Sequence, residues 1–320
     1  MHKRWIVLTA TLAAVLAAGC AGEEPASSDR GTATPGRLLQ VVATTTQLAD
    51  LAGNVGGDQV QVTSLLKPGV DAHDYDPSPA DLDAIARADL VLQNGVGLEE
   101  WLDDTIKSSG FTGPVVDTSQ GIRLREGGHA GEGEEHAGGG EEHDPHIWQN
   151  PRNAQIMTTN IERALAGAEP AGADAFKANL GAYTKQLQSL DAEVERQINS
   201  LANKKVVTNH DAFGYYIDRY GLEFVGSIIP SFDTSTELSG KDIRDLVAKI
   251  KATGVKAIFS ETSLPPRTAE TIGREAGVKV VTGEDALYGD ALGPPGSDGD
   301  TYLKMVRHNT TTIVRNLSGA

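Results

Sequence analysis

From residue 38 onward the chain alternates short apolar runs with segments whose apolar residues recur every three or four positions, the pattern of strands interleaved with amphipathic helices. Strands are predicted at 38–46, 60–66, 89–95 and 114–119, with helices at 46–57, 77–89 and 97–109 between them. The same rhythm returns later, with strands at 204–209, 222–228, 255–261 and 278–283. Helices at 211–221, 240–254, 265–277 and 301–317 accompany them. The two halves share this order without an exact sequence repeat. Both imply an α/β domain with a mostly parallel sheet.

Residues 171–202 differ from both halves. Phe176, Leu180, Tyr183, Leu187, Leu190, Val194, Ile198 and Leu201 lie three or four apart, giving one apolar stripe on a single helix. At about 1.5 Å per residue the helix is roughly 45 Å long. Its place between two α/β patterns makes it a rigid rod joining two lobes. The expected organisation is therefore an N-terminal lobe at 38–170, a linking helix at 171–203 and a C-terminal lobe at 204–320.

The chain has 320 residues, enough for two cores, and a net charge of −16, which disfavours nucleic acid or an anionic membrane as partner. Residues 1–20 pair Lys3 and Arg4 with an apolar run from Trp5 to Ala18, the layout of a secretion signal. The run is short for a membrane span. Leu16-Ala17-Ala18-Gly19-Cys20 resembles a bacterial lipoprotein processing site around the only cysteine in the sequence. That resemblance implies a lipidated Cys20, no disulfide, and a protein held at the outer face of the cytoplasmic membrane by lipid alone. Residues 21–37 have the Pro/Ser/Gly/Glu composition of a disordered tether.

Candidate chemistry is concentrated where the predicted strands end. In open α/β sheets ligands bind beyond the carboxyl ends of the strands. His73 follows the second strand, His146 the fourth, His210 the first strand of the second half, and Asp290 its last. Any one of these histidines alone fits a structural role. Together, three imidazoles and a carboxylate make a four-coordinate zinc set in a cleft between the lobes. Between Glu126 and Asp144 lies a Gly/Glu-rich loop carrying His129, His136 and His143, too poor in apolar residues to pack. Such a tract fits a mobile auxiliary arm that collects metal.

The motifs GVDAHDYDPSP, DPHIWQNP, TNHDAFGYY, FSET and GDALGPPGSDGDTY, spread over residues 38–318, resemble the zinc- and manganese-specific substrate-binding lipoproteins of ABC importers. The resemblance implies two α/β lobes joined by one long helix, with metal in the interlobe cleft. It implies His73, His146, His210 and Asp290 as ligands, with Asp285 as the competing choice for the fourth. The third imidazole points to zinc, because manganese-selective members tend to carry glutamate at the position of His210. Glu261 is a candidate acceptor orienting a ligand imidazole. Asn150 stands where the family often has an acidic residue.

The implied function is to capture Zn2+, less readily Mn2+, as a monomer and deliver it to a membrane permease, with a metallochaperone as a candidate donor. Because an imidazole must be neutral to bind metal, affinity is expected to fall below about pH 6.5. A zinc hydrolase would need a general base and an open coordination position, and the sequence has no HExxH helix. A metal-stabilised surface adhesin is the remaining alternative.

Overall fold

A computed structural model describes residues 37–126, 143–236 and 238–318. The signal, most of the tether, Cys20, His129 and His136 lie outside the described residues. Strands β1 (Leu39–Ala43), β2 (Val60–Ser64), β3 (Leu90–Gln93) and β4 (Val115–Asp117) form a parallel sheet in the order β2-β1-β3-β4. A second parallel sheet has β5 (Lys205–His210), β6 (Glu223–Ile229), β7 (Ala257–Phe259) and β8 (Lys279–Val281) in the order β6-β5-β7-β8. The two sheets therefore share one topology. In each, strand order reverses between the first and third strands, and a crevice opens at the carboxyl ends there.

Among the described residues nine α-helices accompany the strands: α1 (Thr46–Gly56), α2 (Pro79–Ala86), α3 (Leu102–Ser109), α4 (Pro151–Ala168), α5 (Ala173–Asn199), α6 (Gly214–Tyr220), α7 (Gly240–Thr253), α8 (Arg267–Ala276) and α9 (Tyr302–Leu317). Among the described residues none is long and apolar enough to cross a membrane. One helix and one strand show why some elements are shorter than their periodicity suggests. The helix expected from 97 starts only at Leu102, because Gly95, Val96 and Gly97 all have positive φ. Glu99 folds back to accept from the backbone N–H groups of Asn94 and Gly95, closing that loop. The strand expected at 255–261 is cut to Ala257–Phe259, after which Glu261 keeps only a single bridge to Leu287.

The long stripe forms α5, from Ala173 to Asn199. Phe176, Tyr183, Leu187, Leu190, Val194 and Ile198 are buried, whereas Leu180 is half-buried. Burying each such side chain stabilises by about 1.5–3 kcal/mol, so the stripe as a whole outweighs any helix-propensity term. The helix packs on α1 and α4 and also on α6 and α9, which places elements of both sequence halves along it. A polar junction reinforces this. Asp191 of α5 is buried and accepts from Arg152 of α4, from Arg219 of α6 at 2.8 and 2.7 Å, and from the Tyr220 hydroxyl.

Candidate metal centre

Four loops leave the carboxyl ends of the two sheets and converge. His210 is the last residue of β5, so its position is set by the sheet itself. Its backbone N–H and its Nδ1 both face Glu261 Oε1, at 3.0 and 2.9 Å, just beyond β7. His73 lies between β2 and α2, where its N–H donates to Asp71 Oδ1 at 3.0 Å. The other Asp71 oxygen accepts from the Thr234 hydroxyl at 2.7 Å, bringing a loop of the second half over His73.

His146 is held by the residue two places before it. Asp144 Oδ1 accepts from the His146 backbone N–H at 3.0 Å and pairs its Nδ1 at 2.9 Å. A short 3-10 turn, Ile147–Gln149, then leads into α4, with Pro151 in the first turn and the Asn150 side chain capping it. At the switch point of the first sheet, Asn94 donates to the Pro145 carbonyl at 2.9 Å and fixes the approach to His146.

Asp290 sits on a loop that side chains from both halves hold down. The Gly289 carbonyl accepts from Gln47, Trp148 Nε1 and Gln149, at 3.4, 3.1 and 3.2 Å. Asn309 of α9 spans Tyr288, accepting from its N–H and donating to its carbonyl. A Cβ at Gly289 would stand 2.0 Å from Glu261 Oε2, so any larger residue there would push that carboxylate aside.

The result is one cluster in which a ligand atom from each of His73, His146, His210 and Asp290 lies within 4.8 Å of all the others. His146 Nε2 is central, 3.1 Å from His73 Nε2, 3.3 Å from His210 Nε2 and 3.5 Å from Asp290 Oδ1. Donors bonded at 2.0–2.2 Å in a tetrahedron stand roughly 3.3–3.6 Å apart, so most of these separations suit a single small cation. His146, His210 and Asp290 are fully buried, while His73 borders a cavity of about 380 Å³. His143, Glu100, Asp233 and Phe232 line that same cavity, which forms the approach from solvent.

The electrostatics fit a cation site. Burial opposes charge on His146, but Asp144 and Asp290 outweigh it and lift its pKa to about 9. Burial likewise opposes charge on His210, yet Glu261 and Asp290 hold it well above the usual imidazole value. Burial would raise the Asp290 carboxyl; His210, His146 and His73 bring it well below its ordinary range. Burial dominates at His73 and lowers it to about 4. Neither Asp290 oxygen has a conventional hydrogen-bond partner among the described residues, and Oδ1 lies 3.5 Å from both His146 Nε2 and His210 Nε2.

Of the residues singled out in the sequence, the four ligand candidates and Glu261 come together. Asp285 does not: it is half-buried and paired with Arg315. Asn150 acts as a helix cap. Sequence reasoning passed over Asp144, whose place two residues before His146 is the spacing at which an Asp side chain reaches a backbone N–H. It also passed over Asn94, Gln47 and Asn309, for which the one-dimensional pattern carries no signal.

A buried His3Asp cluster between two parallel α/β sheets defines a class, the metal-binding substrate-binding components of ABC transporters, which are not enzymes. The family described as zinc-uptake complex component A, periplasmic, matches residues 41–316. The manganese-binding lipoprotein MntA of Bacillus subtilis is 34% identical over 284 residues, covering 87% of this chain and 90% of the relative. The manganese ABC transporter substrate-binding lipoprotein PsaA of Streptococcus anginosus is 29% identical, covering 99% of this chain and 100% of the relative. The periplasmic zinc-binding protein TroA of Treponema pallidum superposes with a TM-score of 0.78 at 32% identity, covering 88% of this chain and 100% of that one. The chain belongs to the zinc-uptake component A family.

Proposed function

We propose that the chain captures zinc outside the cytoplasmic membrane through His73, His146, His210 and Asp290 and delivers it to the permease of its importer. The observation that supports zinc is the third imidazole. His210 is fixed by the strand that carries it and by Glu261, so the cluster offers three nitrogens and one carboxylate at near-tetrahedral separations. Zinc suits that set, whereas manganese favours oxygen-rich, six-coordinate sites. The names of MntA and PsaA support manganese as the second reading.

Zinc outbinds manganese at almost any nitrogen site, so affinity in vitro separates the two poorly. The deciding experiment is growth of a strain lacking the gene in chelator-treated medium. Restoration by low zinc and not by manganese is expected; restoration by manganese alone would overturn the zinc reading and leave metal delivery standing.

The same reading makes Cys20 the lipid attachment point and residues 21–37 the tether, with a monomer presenting its cavity to the permease. His143 at the cavity rim, with His129 and His136, supplies the collecting arm, and a metallochaperone is a candidate source of metal. Replacing Cys20 with alanine is expected to move the protein from the membrane fraction to the soluble extracytoplasmic fraction without changing its zinc affinity. Retention in the membrane fraction would exclude the anchor.

A further inference from the structure

The His146 imidazole, fully buried in the cluster, is aimed by a carboxylate that is itself held by a residue distant from the metal donors. Asp144 uses Oδ1 for both contacts to His146, and its Oδ2 accepts from Arg125 Nη1 at 2.9 Å. Asp144 is fully buried and the Arg125 side chain only 17% exposed, so the pair is shielded from water. Arg125 Nε also donates to Asp218 of α6 at 2.7 Å. Around this fork the backbone is tied as well. Tyr215 of α6 accepts from the Arg125 N–H and donates to the Asp144 carbonyl, while the Asp144 N–H donates to the Arg125 carbonyl.

The nesting is tight enough to dictate a neighbour's identity. A Cβ on Gly214, the first residue of α6, would stand 2.0 Å from Arg125 Nη1, 2.4 Å from its Cζ and 2.6 Å from Asp144 Oδ2. The helix therefore seats its glycine against the ion pair. A guanidinium suits this place because its planar fork serves two carboxylates at once, which a lysine ammonium does with much poorer geometry.

We propose that Arg125 is a positioning residue for metal capture: it fixes the carboxylate that aims His146 and, through Asp218, ties that aim to α6 in the other half of the chain. The proposal rests on His146 being a ligand. Groups that orient a ligating imidazole typically contribute 10–100-fold in metal affinity. Arg125 acts one step further out, with Asp144 as its only route to the ring. Its removal leaves Asp144 Oδ2 buried without the guanidinium that holds it, so the carboxylate partner of His146 Nδ1 is less firmly fixed.

The test compares zinc affinity, by competition with a chromophoric chelator, for the full chain and for Arg125→Ala, Arg125→Lys, Asp218→Asn and His146→Ala. Arg125→Ala is expected to bind about 10–100-fold more weakly. Arg125→Lys falls between it and the wild type, and Asp218→Asn, altered at an exposed carboxylate, shows a smaller loss in the same direction. In the zinc-loaded protein the Nδ1–H proton resonance of His146 shifts in the Arg125 variants, which a purely structural role would not produce. Wild-type affinity in Arg125→Ala overturns the proposal. Should that variant fail to fold, wild-type affinity in both Arg125→Lys and Asp218→Asn overturns it. Tight binding by His146→Ala marks failure of the ligand reading instead.

Discussion

Replacing His146 with alanine is expected to weaken zinc binding by two orders of magnitude or more. Four-ligand zinc sites bind with roughly 10–16 kcal/mol, so an average donor is worth on the order of 3 kcal/mol, about a hundredfold. His146 exceeds the average donor. Its Nε2 lies within 3.5 Å of a donor atom of each of the other three residues, and its loss also leaves Asp144 Oδ1 without the ring it orients. Replacing Asp285 with asparagine is the matched control, because that carboxylate pairs with Arg315 on the surface and contributes nothing to the cluster. Titration with a competing chelator reads both variants. Wild-type affinity in the His146 variant, or a comparable loss in the Asp285 variant, would refute this assignment of the site.

The second large effect is on pH. Read from the sequence, proton competition begins at the free imidazole value of about 6.5. The structure moves it upward, because Asp144 and Asp290 lift His146 to about 9 and Glu261 and Asp290 hold His210 well above its usual value. With its pKa at about 9, the metal-free His146 ring holds its second proton at neutral pH and must lose it to ligate, and the upward shift of His210 acts in the same direction. Each displaced proton adds about one decade of affinity per pH unit, so the proton on His146 alone should make affinity rise by about one decade per unit between pH 6 and 8.5. His73, at about 4, adds no competition over that range. Affinity independent of pH between 6 and 8 would contradict a protonated His146 in the metal-free site.

Stability of the metal-free protein follows the same groups with opposite signs. The raised His146 contributes stability that is complete below 6.5 and lost as pH rises through about 9. The lowered Asp290 contributes above 3.8 and loses its contribution in acid, and the lowered His73 costs stability as pH falls from 6.5 toward 4. The metal-free form is thus favoured near neutrality. Metal binding gains where that form weakens, on the alkaline side.

Much of this was legible along the chain because periodicity and strand ends are local signals. The buried stripe from Phe176 to Ile198 announced α5, and the rule that ligands sit beyond strand ends selected His73, His146, His210 and Asp290, which the fold brings together. Other features depend on approach between distant residues. Nothing near Gly95-Val96-Gly97 in sequence states that all three take positive φ, which is what delays α3 to Leu102. Gly289 and Gly214 look like ordinary loop and helix-start glycines until Glu261 and Arg125 are brought against them. Nor does the run ending at Asp144 reveal that its carboxylate is divided between an imidazole and a guanidinium.

The Gly289 carbonyl, held by Gln47, Trp148 and Gln149, has a consequence for how the protein comes to exist. Those three bonds join residues separated by 242, 141 and 140 positions. Contacts of such span carry a large loop-closure entropy and form late in folding. A chain still being synthesised, or one cut short before Gly289, can complete its first sheet but has no way to complete the donor set. The four donors therefore come together only in a finished polypeptide, so partial chains have no ready-made pocket in which to sequester the cation.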